Sequence, residues 1–265
     1  MKRIGVEESK KIQLSILEEF STFCETNNLN YYLAYGTLIG CIRHKGFIPW
    51  DDDIDVEMPR DDYNRFIKEY IPSDSSIFEM IDPYNKKARH PYVKLTDKRT
   101  VKIENGIDYS NGNIGIDIDI FPLDGQPLKE KNFQRWKKKL IRIYYLHFLC
   151  ILDLRTDSLK KKLIVPFLRL ILKKNKILKF AQKLHEKYPY NSSEYVGVVE
   201  SVYVDEGDRI EKEVYSSYEY KEFEGKKFRV PLGYHSILTN IYGNYMKIPP
   251  VEKRFTHHSN NCYWI

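Results

Sequence analysis

Apolar residues near the start of the chain recur with the spacing of an amphipathic helix. The asparagines at 27 and 28 interrupt this pattern, and residues 29–33 then predict a short strand. Gly36 predicts a turn after that strand, and Thr37 stands where a second helix can begin. The apolar face of the first helix carries Ile12, Ile16, Leu17 and Phe20.

Two later segments alternate apolar and acidic residues, which is the period of a β-strand. The first runs from Asp53 to Met58, and we expect Pro59 to end it. The second runs from Gly115 to Phe121, and we expect Pro122 to end it. Strand character also appears at residues 92–95 and 100–103, and helical spacing at residues 60–71.

A Lys- and Leu-rich stretch, residues 128–187, predicts helices that are interrupted near Asp153–Ser158 and at Pro166. After it, residues 228–231 predict a strand and residues 236–242 a short helix. Strands and helices thus alternate along the chain, which predicts an α/β (α+β) fold with a mixed sheet and flanking helices. The expected parts are a catalytic core at 1–127, a basic helical insertion at 128–187, and a segment at 188–265 that completes the catalytic domain.

The net charge of +6 is unevenly distributed. Residues 128–187 carry 18 Lys and Arg against 4 Asp and Glu, a balance of +14, so the remainder carries 6 − 14 = −8. This basic stretch favours a polyanionic partner, namely nucleic acid, an anionic membrane surface or a phosphorylated substrate, with a solvated helical face as the alternative. We expect no nucleic-acid partner, because the candidate catalytic acids lie in the acidic remainder.

Several features are typical of a cytoplasmic protein. The four cysteines form no Cys-x-x-Cys pair, so we expect ordinary thiols. Charges throughout the first twenty residues are unlike a secretory signal. The longest apolar run, residues 143–152, has about half the length of a membrane span. We expect a cytoplasmic location, with peripheral contact between residues 128–187 and the anionic inner face of the membrane, because Lys and Arg alternate there with apolar residues.

The acids of the two alternating segments can form a metal site. Residues two apart on a strand share a face, so Asp53 and Asp55 project together, as do Asp117 and Asp119. If the two strands are neighbours, one acid of the second strand, for which we choose Asp119, completes a set of three carboxylates. Such hard oxygen ligands suit magnesium (Mg2+) or manganese (Mn2+) that holds phosphate oxygens.

Residues around these acids are candidates for substrate binding. Gly36 and Thr37 offer a close approach to the backbone and the free amides of a helix start. Arg43 and Lys94 can neutralise phosphate charge. Trp50 and the numerous tyrosines can provide aromatic faces for a cationic group of a substrate.

Other interpretations of the acids at positions 51–55 stay open. A calcium-binding EF-hand loop starting at Asp51 would need glycine where the chain has Val56. Capping or solvated turn residues are a second interpretation, and we assign Asp51 and Asp52 to shaping the turn. A glycosyltransferase with an Asp-x-Asp site is a third, but it would carry an extensive nucleotide-binding region first, and only about 50 residues precede the motif here.

Residues 32–63 resemble the LicD family of phosphotransferases, which is related to the fukutin group. Residues 118–124 are similar to a second block of that family, and residues 242–246 with Pro249 and Pro250 to a third. The features that carry the first resemblance are the turn Gly36–Gly40, Arg43, Gly46, Ile48–Trp50, Asp51, Asp52, Asp53 and Asp55.

This resemblance implies a nucleotidyltransferase-type fold and the transfer of a phosphorylated alcohol from a CDP-linked donor. The typical reaction passes phosphocholine from CDP-choline to a sugar hydroxyl of a cell-surface glycan or its lipid-linked precursor, while related members use CDP-ribitol or CDP-glycerol. Asp53 and Asp55 would bind the metal together with Asp119 or its neighbour Asp117. Asp117 is also our choice for the base that deprotonates the acceptor. The alternative is a nucleotidyltransferase that uses a nucleoside triphosphate.

Overall fold

The structure, a computed structural model, describes residues 1–103, 112–152, 159–199, 209–254 and 261–265, with the side chains at 159–161 left out. Its helices are α1 Val6–Thr26, α2 Tyr35–His44, α3 Arg60–Glu69, α4 Glu130–Ile151, α5 Leu159–Ile171, α6 Lys174–His185 and α7 Tyr234–Tyr242. Its strands are β1 Lys2–Arg3, β2 Tyr32–Leu33, β3 Asp55–Pro59, β4 Phe78–Ile81, β5 Val93–Asp97, β6 Thr100–Ile103, β7 Asp117–Gln126, β8 Tyr195–Gly197, β9 Ile210–Glu211, β10 Tyr218–Phe223, β11 Lys226–Pro231 and β12 Asn261–Trp264. The predicted α/β class is confirmed.

A mixed sheet with the order β2-β3-β7-β5-β4 organises the fold. Its central pair, β3 and β7, is parallel, and the other neighbours along that order are antiparallel. The predicted apolar face of α1 is confirmed, because Ile12, Ile16, Leu17 and Phe20 are all buried in the core next to β5 and β7. One helix and two inner strands therefore share one core.

Strands from distant parts of the chain close this architecture. β8 pairs with the end of β7, and β12 pairs with both β1 and β6 in a separate sheet. The hairpin β10–β11 lies against α2 and β2. The segment after residue 188 therefore contacts the segment before residue 127, although the predicted boundaries of the three parts stay a prediction.

Two prolines do not end the elements in which they lie. β7 continues through Pro122 to Gln126, because Pro122 falls between the last pairing with β5, at Ile120, and the first with β8, at Asp124. A residue without an N–H is tolerated where a strand changes partners. α5 likewise continues through Pro166, and the carbonyl that loses its bond belongs to the exposed Lys162, where water can reach it.

Other boundaries differ by a few residues. α2 begins at Tyr35, before Thr37, because the amide of Leu38 donates to the carbonyl of Ala34 at 2.9 Å and closes the first turn there. The predicted strand at 29–33 is limited to β2, and β4 gave no clear pattern in the sequence. The predicted interruption at Asp153–Ser158 lies outside the described residues.

The basic stretch is helical in its described part, as predicted. α4 and α6 pack together around a second apolar core that includes Phe133, Trp136 and Leu140. Among the described residues, no helix is both long enough and apolar enough to cross a membrane.

A buried ion cluster connects this helical part to the sheet. Asp124 of β7 is paired with Arg60 of α3, and its Oδ2 lies 2.9 Å from Nδ1 of His185 in α6. Burial alone raises the pKa of Asp124, but the positive charges of Arg60 and His185 outweigh burial and hold that pKa below its usual value. The ionised carboxylate therefore stabilises the folded state.

We expect Asp124→Asn to lower the free energy of unfolding by about 3 kcal/mol at neutral pH, because it leaves the partly buried Arg60 and the buried His185 without their anion. The folded-state pKa is depressed, so this contribution is present above the unfolded pKa of about 4 and is lost as the pH falls below it. Urea unfolding at neutral pH, and again at a pH below the unfolded pKa, measures the difference. The exposed pair of Glu219 with Lys221 is the control, and Glu219→Gln should cost under about 1 kcal/mol. Equal losses for the two variants would contradict the prediction.

Candidate active site

The register of β3 and β7 brings two predicted acids together. Asp55 is the first residue of β3 and lies opposite Asp119 of β7 in the parallel ladder. The pairing starts one residue earlier, because the amide of Asp119 donates to the carbonyl of Ile54 at 2.9 Å. Ile54 and Ile118 are buried in the core, so the neighbouring acids face away from it. The condition that the two acidic strands be neighbours is therefore met.

Asp51 also belongs to this cluster, although the sequence suggested only a turn residue. It shares a hydrogen bond with Asp53, and burial and the charge of Asp53 raise the pKa of Asp51 to about 7. Asp53 lies between the turn and β3, and positions 51, 53 and 55 repeat the period-two spacing of the strand in sequence. That spacing was the signal that could have identified Asp51.

Burial and electrostatic repulsion act together at Asp55. Burial raises its pKa well above the usual range, and the charges of Asp53, Asp119 and Asp51 add to the effect in that order. Lys94 acts in the opposite direction but does not compensate. Four carboxylates from two chain segments are therefore close enough to interact electrostatically.

Two buried lysines neutralise the β7 side of the cluster. Nζ of Lys94 lies 2.5 Å from Asp117 and 2.5 Å from Asp119, and Nζ of Lys102 lies 2.7 Å from Asp117. The hydroxyl of Tyr92 donates to Asp119 at 3.1 Å. Asp117 thus lies between two ammonium groups, which suits the positioning of Lys94 better than proton abstraction. Its predicted role as the base stays a prediction.

Hydrogen bonds from two helices fix the backbone around the acids. Oγ1 of Thr37 in α2 accepts the amide hydrogen of Asp55 at 2.9 Å. The side-chain amide of Gln13 in α1 donates to the carbonyls of Asp52 at 3.0 Å and Asp117 at 3.3 Å. Gln13 therefore joins the turn before β3 to the first residue of β7. The sequence identified Thr37 but not Gln13, which lies 104 residues from Asp117 and gives no local signal.

Gly36 has a different neighbour from the one predicted. A Cβ atom added at Gly36 would lie 2.5 Å from Oδ2 of Asp51, so the missing side chain makes room for a carboxylate of this protein. That carboxylate lies beside the first turn of α2, where the helix dipole favours negative charge. Phosphate binding at Gly36 and Thr37 stays a prediction.

Arg43 lies near the end of α2, two turns after Gly36, and Trp50 precedes the acidic segment. Arg43 donates to the carbonyl of Tyr245 at 2.6 Å, and it lies about 12 Å along the helix from Tyr35. Burial lowers the pKa of Arg43. The guanidinium of Arg254 lies 5.3 Å from the centre of the Trp50 ring, so a cation already covers one aromatic face. The described contact joins Arg43 to the C-terminal segment, and its phosphate-binding role stays a prediction.

Comparison with known proteins identifies the family. The family model for the nucleotidyltransferase domain of LicD, FKTN and FKRP proteins matches residues 28–149. The chain is 35% identical to the lipopolysaccharide cholinephosphotransferase LicD of Haemophilus influenzae over 99% of both chains. This chain belongs to the LicD family.

Shorter similarities extend to other proteins. The chain is 31% identical to mannosyltransferase regulator 4 of Saccharomyces cerevisiae over 42% of this chain and 8% of the yeast protein. It is 34% identical to an uncharacterised protein of Rickettsia typhi over 25% of this chain and 22% of the other. The match to the family model contains α2, β3 and β7, the elements that carry the acid cluster. As a member of the LicD family, the chain is a transferase.

The acid cluster has the chemistry of a divalent-cation site. No set of three or more His, Cys, Asp or Glu in the described ranges is already arranged to hold a metal, and Lys94 occupies Oδ1 of Asp119. The donor set nonetheless fits, because the five acids would exceed the two lysines by 5 − 2 = 3 charges when ionised around a bound cation, and magnesium prefers carboxylate oxygens. The residues counted are Asp51, Asp53, Asp55, Asp117, Asp119, Lys94 and Lys102.

Tyr92 and Lys102 were missed by the sequence analysis for different reasons. Tyr92 lies two residues before Lys94, so a strand that begins at Tyr92 would place both on one face, and that signal was available. Lys102 lies on β6, outside the central sheet, and only the fold brings it to Asp117.

We expect Gly36→Ala to lower transferase activity at least about tenfold, because the new methyl group displaces the Asp51 carboxylate and, with it, Asp53. The free energy of unfolding should change by no more than about 1 kcal/mol, since the clash involves the end of a side chain. Turnover and urea unfolding measure the two effects. Gly5→Ala is the control, because a Cβ at Gly5 meets nothing within 4 Å. Wild-type turnover in Gly36→Ala would show that activity does not depend on the space that Gly36 leaves for the Asp51 carboxylate.

Proposed function

We propose that this transferase moves phosphocholine from CDP-choline to a sugar hydroxyl of a cell-surface glycan of the lipopolysaccharide type, with a divalent cation in the acid cluster. The observation that carries the proposal is the placement of Asp55 opposite Asp119, with Asp53 and Asp51 beside them. The donor and acceptor are supported by the full-length similarity to a lipopolysaccharide cholinephosphotransferase.

The proposed reaction is a displacement at phosphorus. The acceptor oxygen forms a bond to the phosphorus that carries choline, and the anhydride bond between the two phosphates breaks. CMP leaves with the electron pair of that bond, and the acceptor hydroxyl loses its proton to a base. No oxidant or reductant is needed, and the products are CMP and a phosphodiester of choline with the sugar.

Asp53, Asp55 and Asp119 would hold the cation. When bound, the cation neutralises diphosphate oxygens and stabilises the charge that develops on the leaving CMP. Without a positive charge between them, the acids would repel the donor, since both are anionic. The arrangement of this chain therefore favours a reaction at a phosphate group that arrives with a metal ion.

The residues around the acids would position them. Thr37 and Gln13 fix the backbone from which Asp55 and Asp117 project. Lys94 holds Asp117 and Asp119 at 2.5 Å each and sets their orientation. Positioning of this kind supplies most of the catalysis in phosphoryl transfer, where the protein does little covalent chemistry.

Release of CMP tests the proposed site. Asp53→Asn and Asp55→Asn should each reduce magnesium-dependent CMP release from CDP-choline at least about a thousandfold, because each removes a ligand charge. The acceptor in the assay is lipopolysaccharide without phosphocholine, and chelation of the metal should stop wild-type turnover. Asp74→Asn, in the exposed loop after α3, is the matched control and should retain full activity. Retained turnover in either site variant would refute the assignment.

A donor panel tests the transferred group. Thermal shifts with CDP-choline, CDP-glycerol, CDP-ribitol and nucleoside triphosphates, each with and without magnesium, rank the donors by affinity. The proposal predicts the largest shift for CDP-choline with magnesium. A larger shift with CDP-glycerol or CDP-ribitol would identify that phosphorylated alcohol as the transferred group instead. Pyrophosphate release from a nucleoside triphosphate would indicate a nucleotidyltransferase reaction.

The stability of the metal-free protein gives an independent test of the repulsion between the acids. Because the folded state raises the pKa of Asp55, its ionisation opposes folding increasingly as the pH rises above the unfolded value. Asp55→Asn should therefore increase the free energy of unfolding in metal-free buffer at neutral pH by at least about 1 kcal/mol. Magnesium should stabilise the wild type and leave the variant unchanged. A less stable Asp55→Asn protein in metal-free buffer would contradict the interpretation.

A further inference from the structure

The outward face of α5 is apolar. The exposed fractions are 78% at Leu163 and Leu170, 65% at Phe167, 66% at Ile171 and 54% at Ile164. At 100° per residue these five positions share an arc of roughly 120° on the helix surface. Apolar side chains on one exposed arc mark an interaction surface, whereas scattered ones do not.

The opposite side of α5 attaches the helix to the rest of the protein. Val165 is buried, and Nε of Arg169 donates to the carbonyl of Leu149 at 3.0 Å. Another nitrogen of Arg169 donates to the carbonyl of Leu152, so one arginine holds the end of α4. Since Val165 and Arg169 lie across the helix from Leu163 and Phe167, the apolar arc points away from the protein.

Basic residues surround this apolar arc. No acidic residue occurs from Ser158 to His185, while lysines precede and follow the apolar part of α5. Lys162 and Lys173 are exposed at its two ends. An apolar strip between lysines matches a surface that has an apolar interior and an anionic exterior.

We propose that α5 docks flat on an anionic lipid bilayer, with Leu163, Phe167 and Leu170 inserted at the level of the headgroups. The thirteen residues of α5 extend only about 20 Å, against roughly 30 Å for the hydrocarbon core, so the helix lies in the interface. A second copy of the chain fits less well, because a two-fold interface would bring like charges together.

Docking through α5 would bring the enzyme to its acceptor, and this role rests on the proposed function. A glycan acceptor that is linked to lipid is confined to the plane of a membrane, and an enzyme docked there meets it by diffusion in two dimensions. Vesicle binding itself does not depend on the transferase reaction, so the two proposals can fail separately.

Vesicle sedimentation of the full-length protein tests the docking. Wild-type protein should bind vesicles of phosphatidylglycerol and phosphatidylcholine in equal parts, bind pure phosphatidylcholine at least about tenfold more weakly, and detach in high salt. The double variant Leu163→Glu/Leu170→Glu should lower the partition coefficient about tenfold or more, because it places charge in the apolar arc. CMP release from CDP-choline, measured without vesicles, should stay at the wild-type level.

A matched double variant separates the apolar arc from net charge. Ile71→Glu/Leu232→Glu also replaces two exposed apolar residues and changes the charge by the same amount, and it should bind vesicles like the wild type. Equal binding by both double variants, or no binding by the wild type, would overturn the proposal. Light scattering that shows a dimer in the wild type and a monomer in Leu163→Glu/Leu170→Glu, with vesicle binding unchanged, would identify a dimer interface and overturn it as well.

Discussion

Parallel pairing of β3 with β7 sets Asp55 directly opposite Asp119, and the repulsion between their carboxylates constrains the residues around them. The two strands cannot separate to relieve it, because their other faces are buried: Ile54, Val56, Ile118 and Ile120 belong to the same core. The helix α1 packs on that core and also holds the acidic segments through Gln13. Burial of apolar area thus holds the carboxylates closer together than their mutual repulsion would allow in water.

Relief of this repulsion is uneven across the site. On the β7 side, Lys94 and Lys102 contact Asp117 and Lys94 also contacts Asp119. On the β3 side, the acids raise one another's pKa. The field there favours a cation, and a diphosphate donor needs a cation for the same reason. One ion would satisfy both the protein and the proposed donor, so a site of excess negative charge is compatible with an anionic donor.

Local periodicity was enough to predict the two acidic strands and to select Asp53, Asp55 and Asp119, because a period of two is a property of neighbouring residues. It could not choose which strands are adjacent, so the placement of Asp55 opposite Asp119 followed only from the register. Asp51 does shape the predicted turn, since its amide donates to the carbonyl of Ile48, but the sequence did not show that its carboxylate also interacts with Asp53. Gln13 and Lys102 reach the site from distant segments and give no local signal. The rule that proline ends a strand failed at Pro122, where the partner strand changes.

The same strand that carries the site also connects it to the basic helices. β7 continues from Asp119 to Asp124, roughly 17 Å along the strand, where Asp124 contacts Arg60 of α3 and His185 of α6. An acidic catalytic part is repelled by an anionic bilayer, whereas the basic helical part is attracted, so the charge separation of −8 and +14 orients the molecule before contact. Because Asp124 is buried and paired with both Arg60 and His185, the basic helices are attached rigidly at this point to the strand that carries Asp119. A membrane-facing α5 would therefore also fix the direction from which a lipid-linked acceptor reaches Asp55.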